Sequence, residues 1–513
     1  MINISKKKDC CGCNACGDVC PKHSITFKID KEGFWYPEVE MDTCIDCHLC
    51  EKVCPLLNKE EYKNIDGYVK PKTYALVHKN IEVRFDSTSG GAFTALAEEV
   101  YKQGGFVGGA IYNEDWSVSQ FLSSSKNDLP KLRSSKYLQS HFDGFYKSVK
   151  EALKTEKPVL VCGSPCQMAA MFRYLKKPYE NLIIVDYICR GIASPMYFRK
   201  WINYLENKHN SKVIFYKAKS KELGWRKLST RIEYANGEAD VIAGHDNPWL
   251  MMQYKVPEIC RPSCFECSFK GFPRTSDITM GDLWAKKGSI PQNLDGDLGT
   301  SIVFANNAKG EAFLSRCFKK VEYKEFPFET AVKGNFHLEN AVRHSSYDRE
   351  TFFQDLNESF EECIDKYIPE FNHQQYSVKS KTKNFLKFVW KISSASGWSI
   401  STWRKNLWYN IFSSKVKTSI FKGHYFIIEK NCTIQINSKG RLILDSALYF
   451  GTKKVKGSIL DSRLLIESGG IMRIYGGDYS ISYGADIEVF RNALLEIGGG
   501  VGANIGLTIV CGD

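Results

Sequence analysis

Two copies of one cysteine pattern open the chain. The first reads Cys10-Cys11-Gly12-Cys13-Asn14-Ala15-Cys16-Gly17-Asp18-Val19-Cys20-Pro21. The second reads Cys44-Ile45-Asp46-Cys47-His48-Leu49-Cys50-Glu51-Lys52-Val53-Cys54-Pro55, and each is a Cys-x2-Cys-x2-Cys-x3-Cys-Pro run. Thiolates are soft ligands that suit iron–sulfur centres, and three at this spacing can wrap one face of a cubane. Where two such runs occur together, the fourth cysteine of each ligates the cluster of the other run. That assigns Cys10, Cys13, Cys16 and Cys54 to one 4Fe-4S cluster, and Cys44, Cys47, Cys50 and Cys20 to a second. Zinc prefers a single tetrahedral set such as two Cys-x2-Cys pairs, which leaves the doubled triplets unexplained. Cys11 can replace Cys10 only by a slip that breaks the spacing, so it is the non-ligand member.

A second group of thiols lies far downstream. Pro158-Val-Leu-Val-Cys162-Gly163-Ser164-Pro165-Cys166-Gln167 reads as a buried strand, a tight turn and a helix start. Asn181-Leu-Ile-Ile-Val-Asp186-Tyr-Ile-Cys189-Arg190-Gly191 reads as another buried strand ending in a Cys-x-Gly turn. With Cys264 and Cys267 of Cys260-Arg-Pro-Ser-Cys264-Phe-Glu-Cys267, the cysteines Cys166 and Cys189 can form a third 4Fe-4S site, with Cys260 in reserve. Zinc stays open here, as does burial as small hydrophobes. Ser87-Thr-Ser89-Gly90-Gly91 precedes a helical pattern, so it offers either free N–H groups for a phosphate or an ordinary N-cap. Ser134-Ser-Lys136-Tyr-Leu-Gln-Ser140 is polar and lines a pocket or a solvated loop.

These residues need elements to hold them. The fold expected is mixed multidomain α/β: a ferredoxin-like module with two 4Fe-4S clusters over 1–58, a polar linker, and α/β domains over 73–155 and 156–345. A basic aromatic linker over 346–425 and an incomplete hexapeptide-repeat β-helix over 426–513 follow. Between the runs, Ser24 to Asp30 alternates, Lys31-Glu-Gly33 turns, and Phe34 to Val39 returns, a hairpin signal. Continuous apolar strands alternating with helices predict a mainly parallel sheet, whose carboxyl edge collects sites. The 513 residues carry 70 Lys+Arg against 58 Asp+Glu, a formal net charge of +12, and 19 cysteines. No apolar leader is seen at the N-terminus and no apolar run is long enough for a bilayer. The expected location is therefore the reducing cytosol, where thiols bind metals instead of forming disulfides.

Over residues 1 to about 345 the chain resembles the beta subunits of coenzyme F-420 hydrogenases and dehydrogenases. The likeness rests on the paired cysteine runs, Ser-Thr-Ser89-Gly-Gly, Ser-Lys136-Tyr-Leu-Gln-Ser, Gly-Ser-Pro-Cys166-Gln, Asp186-Tyr-Ile-Cys189-Arg-Gly, Arg-Pro-Ser-Cys264-x2-Cys267 and Ser-Asp277-Ile-Thr-Met-Gly-Asp282, in that order. The resemblance implies FAD as well as iron–sulfur clusters, and electron passage between them. It places flavin against Ser89, Gly90, Gly91, Lys136, Gly163, Ser164 and Pro165. Relatives with this domain order also occur among polysaccharide-biosynthesis proteins. The family pattern has Cys-His-Gly where this chain has Cys189-Arg190-Gly191, so a proton-handling histidine does not carry over. No catalytic residue is assigned.

From Lys379 to Lys422 the chain holds Lys379, Lys381, Lys383, Lys387, Lys391, Arg404, Lys405, Lys415, Lys417 and Lys422 and no Asp or Glu, with Trp390, Trp398, Trp403 and Trp408 interleaved. Such a stretch suits an anionic membrane surface or a helix pair packed on a neighbour, and nucleic acid is not expected. Beyond Phe426, apolar pairs six apart (Ile436 and Leu442, Leu465 and Ile471, Ile481 and Ile487, Leu495 and Val501) with Gly470, Gly476, Gly484 and Gly498 to Gly500 carry a β-helix signature. This tail resembles hexapeptide acyltransferases but has no histidine after His424. The reading is an iron–sulfur flavoprotein oxidoreductase that takes electrons from a ferredoxin-like donor. It passes them to FAD and a small organic or sugar-linked acceptor, in polysaccharide biosynthesis by analogy, with the tail mediating a homo-oligomer. The alternatives are an acyltransferase-like protein of cell-surface sugars and a non-catalytic scaffold.

Overall fold

The computed structural model describes residues 1–64, 67–285, 290–291, 293–294, 297–369, 371, 378–396, 399–430, 432–452, 461–475, 477, 479–498, 502–503 and 507–512. Trp398, Gly476, Gly499, Gly500 and Val501 lie outside the described residues, as do the side chains of Lys379, Lys381 and Lys383. The chain divides into two compact units. One is Met1–Lys221 with Thr230–Ile368, the other Glu222–Ser229 with Pro369–Asp513.

In the first unit the two cysteine runs fold alike. Each ends in a short helix, Ala15–Val19 and Leu49–Val53, preceded by a left-handed residue, Asn14 or His48. Gly12 and Asp46, just before the middle cysteines, are also left-handed, at φ 71° and 48°. Paired left-handed residues around a cysteine curl the backbone into a tight loop, which glycine and short polar residues tolerate best. Between the runs, β1 (Ile25–Ile29) pairs antiparallel with β2 (Trp35–Val39), Ile25 opposite Val39 and Ile29 opposite Trp35. The expected hairpin therefore forms. Cys13, Ala15 and Val53 share a core with Phe142, Tyr146, Met168 and Tyr174. Asp18 accepts the N–H groups of Gly144 and Tyr146, at 2.8 and 3.1 Å, at the start of helix Phe145–Leu153. A carboxylate at a helix N-terminus satisfies donors the helix leaves open and meets its positive end.

The module docks on a nine-stranded sheet. Its strands are β3 (Lys72–His78), β4 (Phe106–Tyr112), β5 (Val118–Ser123), β6 (Ser140–His141), β7 (Val159–Gly163), β8 (Leu182–Tyr187), β12 (Ile278–Asp282), β13 (Ser301–Ala305) and β14 (Val321–Glu325). The order is β14-β3-β13-β12-β8-β7-β4-β5-β6. The central strands β4, β7, β8 and β12 run parallel. β13 is antiparallel to β12 and β3, and β14 to β3. The parallel strands are apolar throughout because helices cover both faces: Val159, Leu160, Val161 and Val185 are fully buried. A smaller sheet joins β9 (Val213–Ser220), β10 (Ser229–Tyr234) and β11 (Ala239–Ile242).

Two expected boundaries fall within continuous secondary structure or a single unit's helices. The break at 155/156 falls inside the large sheet, since β4 pairs with β7 across it. The stretch 346–425 also divides: helices Arg349–Glu358 and Phe360–Tyr367 belong to the first unit, and helices Val378–Ser396 and Ile400–Leu407 to the second.

In the second unit the strands fall in rotation into three four-stranded parallel sheets, every third strand joining the same sheet. Their strands are β15 (Val416–Lys417), β16 (Phe426–Ile428), β17 (Cys432–Ile436), β18 (Arg441–Leu444), β19 (Leu448–Thr452), β20 (Ser462–Ile466), β21 (Ile471–Tyr475), β22 (Tyr479–Ser482), β23 (Asp486–Val489), β24 (Leu494–Gly498), β25 (Gly502–Ala503) and β26 (Thr508–Cys511). Register stacks like on like: Leu442, Met472 and Leu495 in one sheet, Leu464, Ile487 and Ile509 in another, Phe450 and Ile481 in the third. One expected pair is corrected. Leu465 and Ile471 are only half-buried, while Leu464, Ile466 and Met472 point inward. Strand side chains alternate, so a one-residue offset in reading the period reverses the face.

Candidate metal centres and the sheet edge beside them

The second cysteine set lines one cavity. Cys20, Cys44, Cys47 and Cys50 surround it with Met1, Pro21, Ser24, Ile25 and Val39. Ile2 donates its N–H to the Cys50 sulfur at 3.2 Å, and Ser24 to the Cys20 sulfur at 3.4 Å. In the first set, burial drives the Cys16 thiol far above its ordinary range, and Cys13, Cys10 and Cys54 beside it add to the rise. Burial likewise pushes Cys54 up to about 12, helped by Cys13 and Cys10. Cys10 accepts the Gly12 N–H, Cys13 that of Ala15, and Cys54 those of Leu57 and Leu56. Both four-cysteine sets are therefore drawn together with the crossed fourth ligand. N–H···S bonds to the thiolates are one of the levers by which a protein tunes an iron–sulfur cluster. Among the described residues no group of three or more His, Cys, Asp or Glu closes on a single ion. A cubane puts each thiolate on a different iron and spreads them wider than one zinc would. The donor sets fit two 4Fe-4S clusters.

Arg261 is the residue that the spacing did not reveal. It is fully buried. Its guanidinium donates to the Cys10 sulfur at 3.3 Å and carbonyl at 2.7 Å, to Gln139 Oε1 at 2.8 Å and to the Trp35 carbonyl at 3.0 Å. It also lies 4.1 Å from the centre of the Tyr36 ring. Gly12 is glycine for this reason as well: a Cβ there would run into the side chains of Gln139 and Arg261. Arg-Pro-Ser-Cys264 thus binds the first centre with one end and carries a downstream thiol on the other.

That downstream group does assemble. Burial raises Cys264 well above its usual range, with Cys260, Cys189 and Cys166 adding. Burial raises Cys189 to about 12, with Cys166 and Cys267 among its neighbours. Cys264 accepts the Ile192 N–H at 3.4 Å. Cys166 follows Ser164, whose hydroxyl lies 3.2 Å from its sulfur. Cys11 lies beside Cys13 and Cys166, and its neighbourhood draws Cys166 down to about 7. Cys260 is buried beside Gly191, where any Cβ would touch its sulfur. Arg190, standing where the family pattern has histidine, bonds the Gln253 carbonyl at 2.7 Å and covers the Tyr254 ring at 4.5 Å.

The residues expected to hold flavin lie along the carboxyl edge of the sheet, six of them in two unlike turns and Lys136 in the loop before β6. Gly163, Ser164 and Pro165 link β7 to helix Pro165–Leu175. There the Ser164 N–H is taken by Gln167 at 2.9 Å, and proline has none, so this turn is closed by the protein. Ser89 and Gly90 tie to β13 and its approach: the Ser89 hydroxyl donates to the Thr300 carbonyl at 2.8 Å and the Gly90 N–H to the Ser301 hydroxyl at 2.9 Å. Gly91, at φ 95°, then opens helix Ala92–Lys102, which has no side-chain cap. Of the two turns, this one keeps helix-end donors for an anion. Lys136 donates to the carbonyls of Lys131, Arg133 and Ser134 at 2.7, 2.9 and 3.1 Å, and burial lowers it to about 7. Along the same edge Lys219 pairs with Asp282 at 2.7 Å under the rings of Tyr137 and Trp284.

Residues 156–330 match the family model for the C terminus of the coenzyme F420 hydrogenase/dehydrogenase beta chain. Over these residues the chain is similar to the C-terminal domain of that family. Residues 9–57 match a 4Fe-4S dicluster domain. An uncharacterized protein of Methanocaldococcus jannaschii is 24% identical over 344 residues, 60% of this chain and 86% of that protein. The F(420)H(2) dehydrogenase of Methanosarcina mazei has a subunit that is 22% identical over 188 residues, 34% of this chain and 51% of that protein. A chain of the F420-reducing NiFe hydrogenase complex from Methanosarcina barkeri shares 17% identity, with a TM-score of 0.35, over 55% of this chain and all of that one. The dicluster match spans both cysteine runs, and the F420 beta-chain match spans Cys166, Cys189, Cys264 and Cys267.

Proposed function

We infer that the chain is an iron–sulfur flavoprotein oxidoreductase that passes electrons between an external ferredoxin-like donor and a small organic acceptor. The observation that carries this reading is the pair of four-cysteine sets, with Cys20 beside Cys44, Cys47 and Cys50, and with Arg261 donating to the Cys10 sulfur from the segment that bears Cys264. Bound clusters would supply one-electron carriage, and flavin would supply exchange with two-electron chemistry. The chain's own residues set the terms. Cys44 and Cys47 lie at the outer end of the module, with Cys47 exposed, where a donor can approach. Cys10, Cys13, Cys16 and Cys54 would hold the other cluster, and Cys166, Cys189, Cys264 and Cys267 would supply a third set of four thiolates. The uncapped start of helix Ala92–Lys102 offers N–H groups to the pyrophosphate of FAD.

Anaerobic purification followed by flavin extraction and an FAD titration tests the flavin assignment. Gly91 is a poor place for a probe, because its left-handed backbone and His78, 2.9 Å from a built Cβ, would strain any substitution. Thr88→Asp is better, since it adds a carboxylate beside that helix start. It should weaken FAD binding at least tenfold while iron content stays the same. Full FAD affinity in that variant rules out this placement.

The three parallel sheets of residues 416–511 support a β-helix in the second unit. An acyltransferase activity there lacks a basic imidazole, since no histidine follows His424. We assign this tail to self-association, an expectation carried by its stacked parallel sheets. Truncation after Ile368 should leave iron content intact and lower the oligomeric state. Acetyl-CoA-dependent transfer lost on that truncation would favour the acyltransferase instead.

A further inference from the structure

We propose that the face carried by helices Val378–Ser396 and Ile400–Leu407 and the following turn Trp408–Phe412 docks on an anionic lipid bilayer. The proposal stands apart from the redox reading, because every residue in it belongs to the second unit.

Among the described residues the first helix packs by one side. Phe388, Ile392 and Ala395 pack against Tyr425, Ile427 and Ala447. A helix anchored this way in water should be polar on its remaining arc. Here Phe385, Leu386, Val389 and Trp390 occupy that arc, with Leu386 60% and Trp390 63% exposed. The second helix and the turn after it also leave apolar groups exposed. Ile400, Trp408, Ile411 and Phe412 are exposed at 77%, 58%, 53% and 66%. The exposed rings are not scattered singly: Phe385 stacks with Phe421 at 6.0 Å, and Trp408 lies 6.3 Å from Phe412. Large apolar groups gathered on a surface mark an interaction site.

Charge decides which partner. Between Lys379 and Lys422 every ionisable carboxylate is missing from the sequence, and ten of the residues there are Lys or Arg, as named above. Lys387, Arg404, Lys417 and Lys422 are exposed, and the Lys391 ammonium sits 5.2 Å from the Trp390 ring centre. A second copy of this face would bring cations against cations, and like-charge juxtaposition is costly. An anionic bilayer satisfies both features. Tryptophan and phenylalanine enter the headgroup boundary while lysine and arginine stems lie along it with their charges in water. Among the described residues no helix is long and apolar enough to cross a membrane, so the contact lies in the interface plane.

The test is co-sedimentation of the full-length protein with vesicles of phosphatidylcholine alone and with an equal mixture of phosphatidylcholine and phosphatidylglycerol. Binding to the mixed vesicles only, weakening as salt rises, is the expected result. Trp390→Ser with Trp408→Ser and Phe412→Ser should lower it at least tenfold. Lys387→Gln and Lys422→Gln should each lower it about five-fold. All five side chains are exposed, so far-UV circular dichroism and iron content should not change. Equal binding to neutral vesicles, no binding to either kind, or unchanged binding by the aromatic variant overturns the proposal. So does a dimer in solution that the aromatic variant converts to monomer, since that outcome assigns the face to a second copy.

Discussion

Arg261 and Cys10 lie 251 residues apart in sequence, yet the Arg261 guanidinium donates to the Cys10 sulfur at 3.3 Å and to its carbonyl at 2.7 Å. The contact joins the N-terminal module to the loop that carries Cys264. It also places a permanent positive charge against a ligand of the first centre, where burial otherwise pushes the Cys10 thiol up and the guanidinium pulls it down.

Arg261→Gln should therefore do two things. It leaves Cys10, Gln139 and Trp35 without donors in a dry site, at a cost on the order of 3 kcal/mol in unfolding free energy. It also removes the charge that favours the reduced, more negative cluster, so the midpoint potential of the first cluster should fall. Denaturant unfolding and an electron-paramagnetic-resonance redox titration read the two effects. An unchanged midpoint with iron retained would show that Arg261 has only a structural role.

The crossed ligand assignment gives a pairing of phenotypes. Cys20→Ala should damage the same cluster as Cys44→Ala, and Cys54→Ala the same cluster as Cys10→Ala. The four variants should sort into two spectroscopic classes in that way. If Cys20→Ala instead matches Cys10→Ala, each run holds its own cluster and the crossing is wrong.

Cys264→Ala or Cys267→Ala should lose about four irons per chain and spare the N-terminal pair, because a cubane lacking one thiolate of four is poorly held. Cys11→Ala should keep full iron, since Cys11 stands outside the Cys-x2-Cys-x2-Cys-x3-Cys spacing. Iron unchanged in both downstream variants would make that group structural.

The N-terminal centres are legible in the sequence because their geometry is local. Ligand spacing, glycine and the Cys-Pro stop are set within a dozen residues, and the chain curls as the spacing requires. The strands leading to Cys166 and Cys189 are legible for a similar reason: a short, continuous apolar run bounded by turns admits few readings. Arg261 is not legible, because its contacts depend on how two distant segments dock. The turn at Ser89 to Gly91 reads as a helix start, and helix Ala92–Lys102 does begin there. Its difference from the Gly163 to Pro165 turn lies in the Gln167 side chain, which no spacing rule reports. In the tail the six-residue spacing read from the sequence points Leu465 inward where the structure turns Leu464 and Ile466 inward, since alternation along a short strand leaves its phase open.

Stability in acid should report on Glu98. His78 at 3.6 Å holds its carboxyl down, with Lys320 at 3.4 Å and Lys126 at 3.6 Å adding, and lowers it from 4.5 to about 2. A carboxylate with a depressed pKa in the fold binds its proton more weakly there than in the unfolded chain. Its contribution is thus fully present above about pH 4.5 and disappears as pH falls toward 2. Glu98→Gln should lower the melting temperature at pH 7, with the gap to wild type closing through that window. A gap that stays constant down to pH 2.5 would assign the loss to packing instead of charge.

The central claim is that the two N-terminal cysteine sets each hold a cubane cluster. Iron and acid-labile sulfide should be counted on anaerobically purified protein carrying Cys264→Ala, so that only those two sets contribute. About eight irons and eight sulfides per chain are expected, four of each per cubane, with broad visible absorbance that bleaches on reduction. One or two zinc ions per chain, no sulfide and no visible absorbance would contradict the account.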